Sequence, residues 1–131
     1  MKILLAEDDF ATRKFMLNFL SKYGECDVTV DGMEAVDAFM MALEDEDPYD
    51  LICLDIMMPV MDGFETLVVM NKNGWIKDVP VIMISAENVP AYVDRAYDLG
   101  VQDYISRPFD ERTVRRRVIN TIILFTKQKE L

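Results

Sequence analysis

Along the chain, short apolar runs that end abruptly in polar or acidic residues alternate with longer stretches whose apolar residues recur every three or four positions. Runs of four to six apolar residues are too short for helices and predict strands buried on both faces. Such runs occupy residues 2–6, 51–54 and 79–84, a period-two pattern of Cys26, Val28 and Val30 predicts a further strand, and residues 101–105 are read as the last strand. Helical spacing joins Phe15, Met16, Phe19 and Leu20 before the stop signal Gly24. It joins Met33, Val36, Phe39, Met40 and Leu43 ahead of an acidic loop at 44–48, then Phe64, Leu67, Val68 and Met70 after Gly63. Trp75 and Ile76 are expected in a loop that folds back on the domain. Pro90 suits the first turn of a helix carrying Val93, Ala96, Tyr97 and Leu99, with Gly100 as its left-handed cap. Asp110 or Glu111 starts the last helix, whose stripe is Val114, Val118, Ile122 and Phe125.

Five strands alternating with five helices make every connection a crossover, and each crossover helix must cover one face of the sheet. The predicted fold is therefore an α/β three-layer sandwich around a five-stranded parallel sheet. At 131 residues there is room for one domain with its own core.

Composition narrows the chemistry. The chain has no histidine, which removes His-based nucleophilic catalysis and the usual zinc sites. Its formal charge of −10 argues against nucleic-acid binding by this domain. No stretch of 18 apolar residues exists, and the N-terminus turns acidic after a few apolar positions, so no membrane span or secretory signal is expected and the protein is expected in the cytoplasm. Cys26 and Cys53 lie in strand-like runs without a CxxC partner and are read as free thiols.

Ligands bind at the carboxyl ends of strands in an open parallel sheet. Those ends carry Glu7 and Asp8, then Asp55, Ser85 and Arg107. Asp55 alone could simply begin the turn through Pro59, Asp62 and Gly63, but the convergence of these side chains gives it chemical company. Three carboxylates in one pocket repel one another and call for a cation, and all-oxygen ligands favour Mg²⁺ with several retained waters. A hydroxyl and a guanidinium beside them suit a tetrahedral oxyanion. A carboxylate next to Mg²⁺ can also act as the nucleophile in phosphoryl transfer.

With the segments LLAEDD (4–9), LDIMMPVMDG (54–63), MISA (83–86) and YISRPF (104–109) in this order and spacing, the chain resembles the receiver domain of two-component response regulators. The resemblance implies a flavodoxin-like strand order 2-1-3-4-5, a receiver domain over residues 1–126, and residues 127–131 as the helix end or the start of a linker. It implies Asp55 as phosphoacceptor and a Mg²⁺ site built from Glu7, Asp8, Asp55 and the backbone carbonyl of Met57. Ser85 corresponds to the switch hydroxyl and Tyr104 to the aromatic switch, while Asp9 is left to cap the first helix. Ala86 is expected to leave the phosphoryl group accessible, and Met57 and Glu87 occupy positions that tune its hydrolysis. Arg107, before Pro108, departs from the family's usual lysine, which precedes a cis proline; a planar fork replaces a point charge.

The partners so implied are a sensor histidine kinase or phosphotransfer protein, a covalently linked output domain outside this chain, and a second copy. The homodimer surface would be the fourth helix, fifth strand and fifth helix, where Asp94, Asp98 and Asp103 oppose Arg112, Arg115, Arg116 and Arg117, and where Ile119, Ile123 and Leu124 lie outside the core stripe. Competing readings are a receiver that works without phosphorylation and a phosphohydrolase of the haloacid dehalogenase type. The latter would want a second aspartate where Met57 stands.

Overall fold

The computed structural model describes residues 1–85, 89–107 and 109–130, with side chains of the last helix described through Phe125. Ala86, Glu87 and Pro108 lie outside the described residues. The element order is β1 (Lys2–Ala6), α1 (Phe10–Leu20), β2 (Glu25–Thr29), α2 (Gly32–Glu44), β3 (Leu51–Asp55), α3 (Gly63–Lys72), a 3₁₀ turn (Trp75–Lys77), β4 (Val81–Ser85), α4 (Pro90–Asp98), β5 (Asp103–Ser106) and α5 (Glu111–Glu130). All pairings are parallel and the strand order is β2-β1-β3-β4-β5, as expected of a doubly wound flavodoxin-like sandwich.

Alternation along the strands divides the core in two. Ile3, Leu5, Leu51, Cys53, Ile82, Ile84 and Ile105 pack against Met16, Phe19 and Leu20 of α1 and Val114 and Val118 of α5. Leu4, Ala6, Ile52, Leu54 and Met83 face Ala35 and Phe39 of α2, Leu67 and Met70 of α3, and Ala96 of α4. Every residue of β3 and β4 is buried, which is why their sequences show continuous apolar runs rather than alternation. Trp75 does fold back, stacking on Phe39 with ring centroids 5.0 Å apart. Gly100 takes the left-handed cap at φ 97°.

Three expectations are corrected. On α2 the inward face is Ala35, Val36, Phe39 and Ala42, whereas Met33, Met40 and Leu43 are exposed. The helix is apolar on nearly all sides, and its small alanines allow close approach to the sheet while the longer side chains stay outside. In β2, an edge strand, Val28 is exposed and Thr29 is buried, so burial at this end of the strand is the reverse of the hydrophobic pattern, while Cys26 is half-buried against the core. Val68 on α3 is also exposed, and the buried position beside it is Thr66, whose hydroxyl donates to the Asp62 carbonyl at 2.7 Å.

Candidate functional site

The parity that builds the core also builds the site. Glu7 continues the Ile3–Leu5 face of β1, Asp55 continues the Leu51–Cys53 face of β3, and Ala6 pairs with Leu54 immediately before them. The two carboxyl groups therefore meet at the carboxyl ends of the two central strands. Both residues are buried, Glu7 at 2% and Asp55 at 6% exposure.

Glu7 Oε1 accepts the Asp9 amide at 3.0 Å, while Glu7 Oε2 is buried without a hydrogen-bond partner. Burial, followed by the neighbouring Asp55 charge, pushes the Glu7 carboxyl up to about 8. Burial also raises Asp55, to about 6, opposed by Glu7, by the amides of Met57 and Ile56, and by the charge of Arg107. The pair thus holds on to a proton that two solvated carboxylates would have released.

A buried oxygen with no donor, beside a second carboxylate, fits a cation. Among the described residues no group of three or more acidic or thiol side chains is drawn together closely enough to hold a metal ion. Asp8 is exposed. Two carboxylates still fit Mg²⁺, which is commonly bound through one or two carboxylates with the remaining positions filled by water and substrate oxygens.

The loop after β3 is held tightly below this pair. The Gly63 amide donates to the Ile56 carbonyl at 2.8 Å, and a Cβ on Gly63 would run into the Asp55 carbonyl and the Ile56 Cα. Asp62 caps α3 in a reciprocal box with Glu65. Val60 has φ 69°, a strained value for a β-branched residue, and like Met57 it is exposed at the rim.

Ser85 ends β4 and is buried. Tyr104 pairs with Met83 across the β4–β5 ladder and packs into the core on the α4 side. Arg107 follows β5, its amide donating to the Ser85 carbonyl at 3.0 Å. Its guanidinium reaches α1, where Nη2 bonds Asp9 Oδ2 at 3.0 Å and the Thr12 hydroxyl. Asp9 caps that helix as expected, accepting the Thr12 amide at 2.9 Å and the Thr12 hydroxyl at 2.7 Å. The extra engagement of Asp9 and Thr12 with Arg107, across more than ninety residues of sequence, has no sequence signal; only the arrival of all three at the same sheet edge could have hinted at it.

Comparison with known proteins decides the family: the response regulator receiver domain matches residues 3–119. The chain belongs to that family. This receiver domain is 32% identical over 130 residues to the probable transcriptional regulator ycf29 of Pyropia yezoensis, covering 98% of the chain and 56% of the relative. It is 37% identical over 119 residues to the transcriptional regulatory protein HprR of Escherichia coli, covering 90% and 50%. It thus spans about half the length of these curated relatives. Among solved structures it superposes on the CheX-CheY-BeF3-Mg+2 complex from Borrelia burgdorferi with a TM-score of 0.80 at 29% identity, covering 92% of this chain and 87% of that one. It shares its fold with a CheY-like receiver domain from Methanospirillum hungatei at a TM-score of 0.83, 20% identity and 97% coverage of each chain. No helix among the described residues is long and apolar enough to cross a membrane.

Proposed function

We propose that this receiver domain accepts a phosphoryl group on Asp55 from a sensor histidine kinase or phosphotransfer protein and relays the change to the face formed by α4, β5 and α5. The observation that supports it most is the buried Glu7–Asp55 pair, with its unpartnered oxygen, at the carboxyl ends of β1 and β3. An Asp55 oxygen forms a bond to phosphorus as the donor's P–N bond breaks, and the departing nitrogen keeps the electron pair and takes a proton. Asp55 must attack as the anion. Burial raises both carboxyls, so the pair retains a proton, and for Asp55 to attack that proton must sit on Glu7.

Glu7, Asp8, Asp55 and the Met57 carbonyl are the groups that would hold Mg²⁺. When bound, that ion would offset the charge between the acceptor and the phosphoryl oxygens. The Borrelia complex, which contains BeF3 and Mg+2, supports this choice of ion. Ser85 and Arg107 would receive the phosphoryl oxygens, and Tyr104 would follow Ser85. The relatives named as transcriptional regulators support a linked output domain beyond the matched half. A phosphorylation-independent interaction module is the second reading, favoured by the engagement of Arg107 with α1.

Acetyl phosphate with Mg²⁺ is expected to add one phosphoryl mass to the wild type and none to Asp55→Asn. Intact-mass spectra showing equal labelling of the two would remove Asp55 as the acceptor, and no labelling of either would favour the second reading.

A further inference from the structure

The loop after β5 is fastened to α1 at two independent points. The Phe109 ring stacks on Phe15 of α1, with centroids 6.1 Å apart and planes 14° from parallel, and the Arg107 guanidinium lies 5.7 Å from the Phe109 centroid. Arg107 Nη2 then meets the two side chains that open the helix. Thr12 is buried, and its hydroxyl accepts from Arg107 while donating to Asp9, so the three groups form a closed polar network. Asp9 Oδ2 takes three donors, the Thr12 amide, the Thr12 hydroxyl and Arg107 Nη2.

We infer that Asp9 and Thr12 are positioning residues for Arg107, an anchor on the N-terminus of α1 that competes with phosphoryl oxygens on Asp55 for the same guanidinium. This rests on Asp55 being the phosphoacceptor. Nη2 directs its bonds to Asp9 and Thr12 on α1. A lysine ammonium has a single head that can turn from one anion to another; the arginine fork is planar and rigid, and donors bound at α1 must be withdrawn or shared before an oxyanion gains them. Binding an anion at Asp55 and closing the anchor therefore oppose each other, and the opposition is reciprocal. The ion pair is partly exposed, with 41% and 51% of the two side chains accessible, so the competition is modest.

The test uses Asp9→Asn, which keeps an equally good helix cap, and Thr12→Val, which keeps the buried shape. Each is made in the wild type and in Arg107→Gln. Beryllofluoride binding in Mg²⁺ is followed by backbone NMR, and the Arg107 Nε–H resonance is followed without metal. In the wild-type background each substitution is expected to lower the half-saturating beryllofluoride concentration about two- to five-fold and to shift or broaden the metal-free Arg107 resonance; in the Arg107→Gln background the change in affinity should vanish. Affinity that is unchanged or weaker in the single variants overturns the anchor, as does an equal gain with and without Arg107. A wild type that never responds to beryllofluoride refutes the Asp55 reading and the inference together, whereas a responding wild type indifferent to Asp9→Asn and Thr12→Val overturns the anchor alone.

Discussion

Glu7 carries the electrostatic burden of the site, because it is buried beside a second carboxyl with one oxygen unpartnered. Its pKa rises from 4.5 to about 8 and that of Asp55 from 3.8 to about 6 on folding. The native state therefore binds more protons than the unfolded chain between roughly these limits, and stability must fall as pH rises through the window. The contribution is complete below the unfolded values near pH 4 and exhausted above about pH 8. Glu7→Gln keeps the shape without the charge. It is expected to unfold at about the same temperature as wild type near pH 4, and to be about 1–3 kcal/mol more stable at pH 8 without Mg²⁺. Thermal melts from pH 4 to 9 check this, and parallel curves for the two proteins would contradict it. The adjacency of these carboxyls was legible in the sequence, because strand parity puts both acids on one face and the resemblance implied a strand order that sets β1 beside β3. The Arg107 anchor was not, since it depends on side-chain conformations at residues that a linear pattern leaves unrelated.

At the scale of elements, the turn from β3 into α3 fixes where Asp55, the proposed acceptor, sits. Gly63 sits so close to the Asp55 carbonyl and the Ile56 Cα that any Cβ must displace backbone rather than a flexible side chain. Gly63→Ala is accordingly expected to destabilise the domain by about 1–3 kcal/mol and to lower phosphoryl uptake more than Gly74→Ala, where no neighbouring atom obstructs a Cβ. Urea melts and intact-mass labelling of the two variants check both parts; equal labelling would show that the turn does not aim Asp55. The strands were readable because β1, β3 and β4 are buried on both sides and admit little but aliphatic residues. The helices were readable as helices but less so as faces. On α2, Met33, Met40 and Leu43 are as apolar as anything inside, so hydrophobicity could not tell them from the inward Ala35 and Ala42; only the close approach of helix to sheet makes that distinction. Thr29 and Val28 trade places on β2 for a related reason, since an edge strand is poorly covered on its outer side and burial there does not follow polarity.

For the whole molecule, the question is what the α4, β5 and α5 face does when the site is charged. Val114 and Val118 are buried against the sheet, while Ile123 and Leu124 are 46% and 61% exposed and Ile119 is half-buried. Arg117 is already committed within the chain, bonding Asp103 at 2.7 Å and the Tyr104 carbonyl at 3.2 Å, so it ties α5 to β5. Asp94 and Asp98 on α4 and Arg112, Arg115 and Arg116 on α5 remain exposed, and one face bearing both signs can complement itself across a two-fold axis. Charge pairs of this kind set register and encounter rate more than affinity, so Ile123 and Leu124, with the accessible part of Ile119, would supply the area that holds a dimer. Self-association through this face is therefore expected to strengthen with beryllofluoride and to be lost in an Ile119→Glu/Ile123→Glu variant, whose substitutions leave the buried Val114 and Val118 in place. Sedimentation of both proteins with and without beryllofluoride checks this at about 100 μM, a concentration at which even weak association is visible. A wild type that stays monomeric in both states would leave α5 as a helix whose outer apolar residues serve another contact.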